Sequence, residues 1–297
     1  MADGQQKAKV ISFINFKGGV GKTSNTVNIA GELAIRGNRV LVIDTDPQSN
    51  STVWLMGENN FEKLISIAPT ARNTVNTLFQ SRIFPNVYKF DIGNAIRGYQ
   101  WIDRLFLFPA EYDMIDIENH LSVVPFAESI LRKVLIDIAY SYEYILIDCP
   151  PNLYKVTRNA LYVSDYFIIP CIPDYLSKLG LHILVKKIQE FTEVADRELK
   201  LLGIILNKGS KNVGVFKDGK AAIEDELKKM IDKKTYEKLV DDQATIFKTW
   251  ITDFAGVSDA VSEVKPLCLL KGRGFNQPKK LYHDLTQEIV ALIKSRR

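Results

Sequence analysis

The chain has 297 residues, 46% hydrophobic and 25% charged, a balance that builds a sizeable core and excludes a disordered or fibrous chain. Cys149, Cys171 and Cys268 are odd in number and far apart, which excludes a disulfide framework or cysteine metal site and suits a reducing cytoplasm. Net charge is +4 but unevenly placed: residues 265–297 hold eight Lys or Arg against Asp284 and Glu288, so this end fits either a polyanion partner or a solvated helix face.

In chain order, residues 1–9 are polar and read as a flexible tail, with neither a signal peptide nor a membrane span behind them. "VISFIN" (10–15) reads as a buried strand that runs into glycines. A helix follows from about Thr23 to Arg36, and Gly37 stops it. Further strands are expected at 39–44, 104–109, 142–148, 165–170, 200–207 and 245–251, and helices near 126–140, 155–163, 175–195, 221–240 and 279–295. This alternation predicts a doubly wound α/β fold, with a mostly parallel sheet of about seven strands and helices on both faces. No repeat or linker divides the chain, so one domain over 1–297 is expected. Residues 58–103 follow neither period well and read as an elaborated connection or small subdomain.

Residues 15–26, "NFKGGVGKTSNT", carry the first chemical signal. Glycines at 18, 19 and 21 let consecutive N–H groups converge on phosphate oxygens, and the helix behind them adds its positive end. In this phosphate-binding loop, Gly18 through Val20 and Gly21 to Lys22, Thr23 and Ser24 would cradle a nucleotide. Lys22 would sit on the β- and γ-phosphates and Thr23 on Mg²⁺. Phe16 stands where the ordinary loop has its first glycine, and Lys17 is a second lysine that the cradle does not need. "VLVIDTDPQ" (40–48) ends a strand with Asp44 and Asp46, which point the same way in an extended segment. "YILIDCPP" (144–151) ends another with Asp148, the form of a Walker B acid that organises Mg²⁺.

These three segments, in this order, resemble the ParA/MinD group of deviant Walker ATPases, and most closely its ParA branch. Residues 159–181 and 247–251 resemble the same family, whereas 58–103 do not. The resemblance implies a P-loop NTPase fold and Mg²⁺-dependent hydrolysis of ATP. It implies that Lys17 crosses a nucleotide-sandwich dimer to the partner's ATP, that Lys22 is the cradle lysine, and that Asp46 positions the attacking water. Asp44 and Asp148 would hold magnesium-bound waters, and Asn207 would contact adenine. Thr252-Asp253 stand where the family has Pro-Arg, a departure near the base.

The leading reading is therefore a partition or positioning ATPase, cytoplasmic and nucleoid-associated. Its ATP dimer would bind DNA without sequence preference and let go when a ParB-like or other cargo adaptor stimulates hydrolysis. Lys208, Lys211, Lys271, Arg273, Lys279 and Lys280 are the candidate phosphate contacts. With the loop this near the start, no N-terminal helix-turn-helix is expected. The alternative is a MinD-like membrane-associated ATPase, which would use Leu281, Leu285, Ile289, Leu292 and Ile293 as an amphipathic anchor. These residues lack the bulky aromatics of such anchors, so the membrane is not the expected partner. A metabolic or redox enzyme on this fold would need paired cluster cysteines, a second P-loop or a tyrosine-rich tail, and the chain has none of them.

Overall fold

The computed structural model describes residues 6–112, 114–209, 214–232, 236–253 and 256–296. β1 (Lys9–Phe13) leads through the glycine loop into α1 (Lys22–Ile35), and β2 (Val40–Asp44) follows. The connection onward holds α2 (Asn50–Met56), α3 (Glu58–Ser66), α4 (Val75–Ile83), α5 (Ile92–Ala95) and β3 (Arg97–Gly98) before β4 (Leu105–Phe108). α6 (Met114–Leu121) and α7 (Ile130–Ile138) lead to β5 (Tyr144–Asp148), then α8 (Lys155–Val163) and β6 (Tyr166–Cys171). α9 (Tyr175–Ala195), β7 (Lys200–Leu206), α10 (Gly214–Asp232), β8 (Thr245–Ile246), α11 (Gly256–Ser262) and α12 (Asn276–Ser295) complete the order.

Among the described residues the sheet has eight strands in the order β3-β4-β2-β5-β1-β6-β7-β8, all parallel except β3. Its central strands are largely apolar on both sides because both faces are covered. In β2, Leu41 and Ile43 enter one core with α4, α7 and α9, while Val40 and Val42 enter the other with α1 and α12. β5 repeats the pattern with Ile145 and Ile147 against Tyr144 and Leu146. Each fully buried Ile or Leu contributes roughly 1.5–3 kcal/mol, so the central strands anchor everything built on their ends. α12 turns Tyr282, Leu285, Ile289 and Ile293 into the second core, which occupies the face a membrane anchor would need. No described helix is long and apolar enough to cross a membrane.

Three expectations change. The sheet has eight strands rather than seven, because the two-residue β3 pairs antiparallel with β4, too short to leave a period in the sequence. The strand expected over 245–251 keeps its ladder only at Thr245 and Ile246, then returns as a single bridge between Ile251 and Asn207. α10 starts at Gly214 rather than 221, with Gly219 inside it, a residue that disfavours helix by about 1 kcal/mol relative to Ala. Here a Cβ on Gly219 would lie 2.1 Å from the Pro173 carbonyl oxygen, so the glycine is required by close approach. Ala8 is already buried and Lys9 already in β1, so the folded core takes in the end of the expected tail; residues 1–5 of that tail lie outside the described residues. In the connection 58–103, α4 sends Val75, Leu78 and Phe79 into the core of Leu41 and Ile43.

Gly219→Ala should therefore push α10 off the loop before α9 and destabilise the chain by about 1–3 kcal/mol. Urea denaturation followed by circular dichroism checks this. An unchanged midpoint would contradict the close approach.

Candidate active site

β1, β5 and β2 are adjacent and parallel, and their C-terminal ends are level: Phe13 is opposite Asp148, and Asp148 opposite Asp44. The chain leaves β1 into a loop where Gly19 (φ 69°) and Gly21 (φ 93°) take left-handed backbone that side chains resist. Gly21 is the N-cap of α1, and neither a capping side chain nor an acid occupies the first turn. The free N–H groups and the helix dipole thus face outward as an anion site. Asn207, just past β7, closes the loop from the side: its Nδ2 donates to the Val20 carbonyl at 2.6 Å. A Cβ on Gly21 would meet that same nitrogen at 2.6 Å, a second reason for glycine there.

The two lysines of the loop have different surroundings. Lys22 is 7% exposed, and its ammonium donates to the carbonyls of Asn15 (3.2 Å) and Lys17 (3.3 Å). Burial pulls its pKa down, opposed by the charges of Asp148 and Asp46. Lys17 keeps 44% of its side chain exposed and pairs with Asp174, the N-cap of α9. Asp174 in turn accepts from the Ser177 N–H and hydroxyl.

The carboxylates are held as firmly. Asp148 Oδ2 accepts from the hydroxyls of Thr23 (2.7 Å) and Ser51 (2.6 Å), while its buried Oδ1 has no partner among the described residues. Asp44 Oδ2 accepts from the Thr52 N–H and hydroxyl, both at 2.8 Å, and Oδ1 from the Asp46 N–H at 3.0 Å. Asp46 Oδ1 accepts from the Gln48 N–H at 2.9 Å, and the residue is nearly buried. Burial pushes the pKa of Asp44 well up, and its neighbour Asp148 pushes it further. Asp148 is raised too, by burial first and by Asp46, against the hydroxyl donors that lower it. Two adjacent buried carboxylates, one with an open oxygen beside a threonine hydroxyl, form the hard oxygen donor set that suits Mg²⁺. The residues present therefore fit a divalent cation on the side of the loop where phosphates would lie.

The structure thus brings Lys22, Thr23, Asp44, Asp46 and Asp148 to one place, with Gly18 to Ser24 around them and Asn207 alongside. Ser51, Thr52, Asn15 and Asp174 escaped the sequence reading; the only signal was a cluster of small polar residues, "PQSNST", directly after the acid pair. Lys208 is exposed just beyond Asn207, at φ 54°. Lys271, Arg273, Lys279 and Lys280 lie in the stretch entering α12 and in its first turns; none forms an ion pair among the described residues, and only Lys279 is partly covered. Lys211 lies outside the described residues. Thr252 is half-buried and Asp253 exposed.

A glycine loop between a central strand and its helix, with acids ending the next two strands on one side of it, defines a P-loop nucleotide hydrolase. The AAA domain family model matches residues 8–201. The sporulation initiation inhibitor protein Soj of Bacillus subtilis is 30% identical over 285 residues, 95% of this chain and 98% of Soj. The chromosome partitioning protein ParA of Myxococcus xanthus is 29% identical over 238 residues, 78% of this chain and 75% of that protein. Among solved structures, apo McdA from Cyanothece superposes with a TM-score of 0.74 at 20% identity, covering 95% of this chain and 99% of McdA. The chain belongs to the ParA family of ATPases.

The raised acid pair gives a sign for pH. In the nucleotide-free protein these carboxylates keep protons that the unfolded chain loses above the ordinary carboxylate range, so stability falls as pH rises until the pair ionises. The melting temperature should therefore drop between roughly pH 5 and pH 8, and Asp44→Asn should show a shallower drop. Thermal unfolding across that range checks the difference in slope; equal slopes would show that the pair does not carry the effect.

Proposed function

We propose that this chain is a positioning ATPase whose ATP-bound dimer binds DNA without sequence preference and is released when a partner protein stimulates hydrolysis. As a member of an ATPase family it takes ATP with Mg²⁺. The observation that carries the proposal is the separation of the two lysines. Lys22 is buried among the loop carbonyls and near the acids, whereas Lys17 is half-exposed and paired with Asp174 on the outside of the loop.

In this reading the loop N–H groups and Lys22 bind the β- and γ-phosphates. Thr23, Asp44 and Asp148 would hold Mg²⁺ and its waters, which would supply positive charge beside the phosphoryl oxygens. Asp46, on the outer side of the pair, orients the water that attacks the γ-phosphorus as the bond to the β-phosphate oxygen breaks. Asn207 Oδ1, buried with no partner among the described residues, is the acceptor left for the amino group of adenine. Lys17 exchanges the Asp174 carboxylate for the triphosphate of a second chain, so the dimer closes on ATP and loosens on ADP. A cation brought across that interface also stabilises negative charge in the transition state. Lys208, Lys211, Lys271, Arg273, Lys279 and Lys280 are then doubled by the dimer, and many simultaneous phosphate contacts turn weak charges into useful affinity.

Lys22→Ala removes the buried counter-charge and should weaken ATP binding at least about a hundredfold, which nucleotide titration with Mg²⁺ measures. Lys17→Ala should bind ATP yet stay monomeric, whereas Asp46→Ala should dimerise and stay dimeric; light scattering under ATP separates them. Normal dimerisation by Lys17→Ala would sink the division of labour between the lysines.

Unrelated DNA duplexes should bind about equally with Mg-ATP and far more weakly with ADP. Log affinity should fall with log salt at roughly 0.9 per phosphate neutralised. Replacing Lys271, Arg273, Lys279 and Lys280 by Ala should flatten that slope and weaken all sequences alike, with ATP binding intact. Fluorescence anisotropy at several salt concentrations checks this, and ATP-dependent binding to vesicles instead of DNA would favour a membrane ATPase.

A further inference from the structure

A second concave surface lies on the side of the sheet covered by α7, α8 and α9. A groove of about 810 Å³ lies between them, with Phe126, Phe191, Val194 and Ala195 among its lining. Phe191 is buried in the core at its base, but two of its apolar residues are not folded inward: Phe126 is 85% exposed and Val194 89%. Val123, three residues before Phe126, is 82% exposed. Phe126 is also held at φ 55°, a left-handed conformation that a bulky aromatic residue rarely adopts. Ser129 fixes it there, since both its N–H and its hydroxyl donate to the Phe126 carbonyl. An aromatic ring held outward in a strained conformation is the kind of feature that gathers at binding sites.

The charges in the groove are unequal. Arg132, Lys133, Arg158 and Lys187 line it, against Glu128 and Glu190. Both acids are engaged: Glu128 by Lys155, with Arg158 at 3.9 Å, and Glu190 by Lys187 at 2.8 Å. Arg132 and Lys133 are exposed and form no ion pair among the described residues. Arg132 rests 6.0 Å from the centre of the Tyr162 ring, and Arg158 rests 5.7 Å from that of Phe191. These ring contacts hold both guanidinium planes at the groove wall; Arg158 also donates to the Leu153 carbonyl at 3.1 Å, which leaves Arg132 as the guanidinium with open donors.

We propose that this groove docks a peptide segment of a partner protein, with apolar side chains seated beside Phe126, Phe191 and Val194 and carboxylates paired with Arg132 and Lys133. Charge complementarity selects an acidic segment over a basic one. The concave shape, with Glu128 and Glu190 on its walls, favours a peptide over an anionic membrane, which would meet those acids head on. The groove shares Leu153 and Arg158 with a smaller cleft lined by Thr45, Pro47 and Pro150. An occupant would thus bear on the segment that leaves Asp148. The proposal stands on the groove alone and holds whether or not the occupant alters ATP turnover.

The test uses a short fluorescein-labelled peptide alternating leucine or phenylalanine with glutamate, and two copies with glutamine or lysine in place of glutamate. The glutamate peptide should bind the wild-type chain at least about tenfold more tightly than either copy, by fluorescence anisotropy. The double variant Arg132→Glu, Lys133→Glu and the single variant Phe126→Ser should each weaken it about tenfold or more. Both variants should keep the wild-type melting temperature and ATP affinity, which separates a lost surface from a lost fold or nucleotide site. Absence of binding, equal binding of all three peptides, or affinity unchanged in both variants would overturn the proposal. So would binding to phosphatidylglycerol vesicles that the double variant abolishes, which would make the surface a membrane contact.

Discussion

Two carboxylates from neighbouring parallel strands, Asp44 and Asp148, lie level with one another and out of reach of bulk water. Like charges so placed repel, and burial disfavours each of them. The rest of the site follows from containing that repulsion. Thr23 and Ser51 donate to one acid, Thr52 and the Asp46 N–H to the other, and Lys22 is drawn in from the loop as the nearest cation. One lysine cannot neutralise two acids and also serve a phosphate. In the proposed reading a cation and an anion arrive together, as a magnesium-nucleotide complex, and complete the arrangement.

This incompleteness gives the loop its direction. Lys22 is committed to the interior by its two carbonyl acceptors, so any cation acting outside the chain must be another residue. In the proposed reading Lys17 has that freedom, because Asp174 alone among the described residues holds its ammonium, through an exposed contact of the sort that contributes little net stability. A weak contact is suited to exchange. The helix behind Asp174 is fixed more firmly, because Gly219 of α10 lets backbone pack directly against Pro173.

What could be read beforehand depended on how local the signal was. β1, β2 and β5 are buried on both faces, so each appears as a largely apolar run, and the glycines at 19 and 21 mark positive φ that side chains resist. The acids at 44 and 148 stand out because a polar residue ends each run. Ser51, Thr52 and Asp174 carry no such mark, since their function comes from contacts that only folding makes: Ser51 with Asp148, Thr52 with Asp44 and Asp174 with Lys17. β3 was hidden by its length, and the first turns of α10 by Gly219, whose poor propensity is overruled by contact with Pro173. The exposed Phe126 was equally silent, because sequence does not reveal which hydrophobic side chains find cover.

Among the described residues the sheet ends on both sides in strands of only two residues, β3 running backward against β4 and β8 barely started beside β7. A terminal strand that short offers too few free N–H and C=O groups to template another chain. Growth by strand addition, the route by which sheets join irreversibly, is therefore closed at both margins. Association is left to side chains and bound ligands at the strand ends and helix faces, where contacts can be made and unmade without any backbone ladder having to form or break.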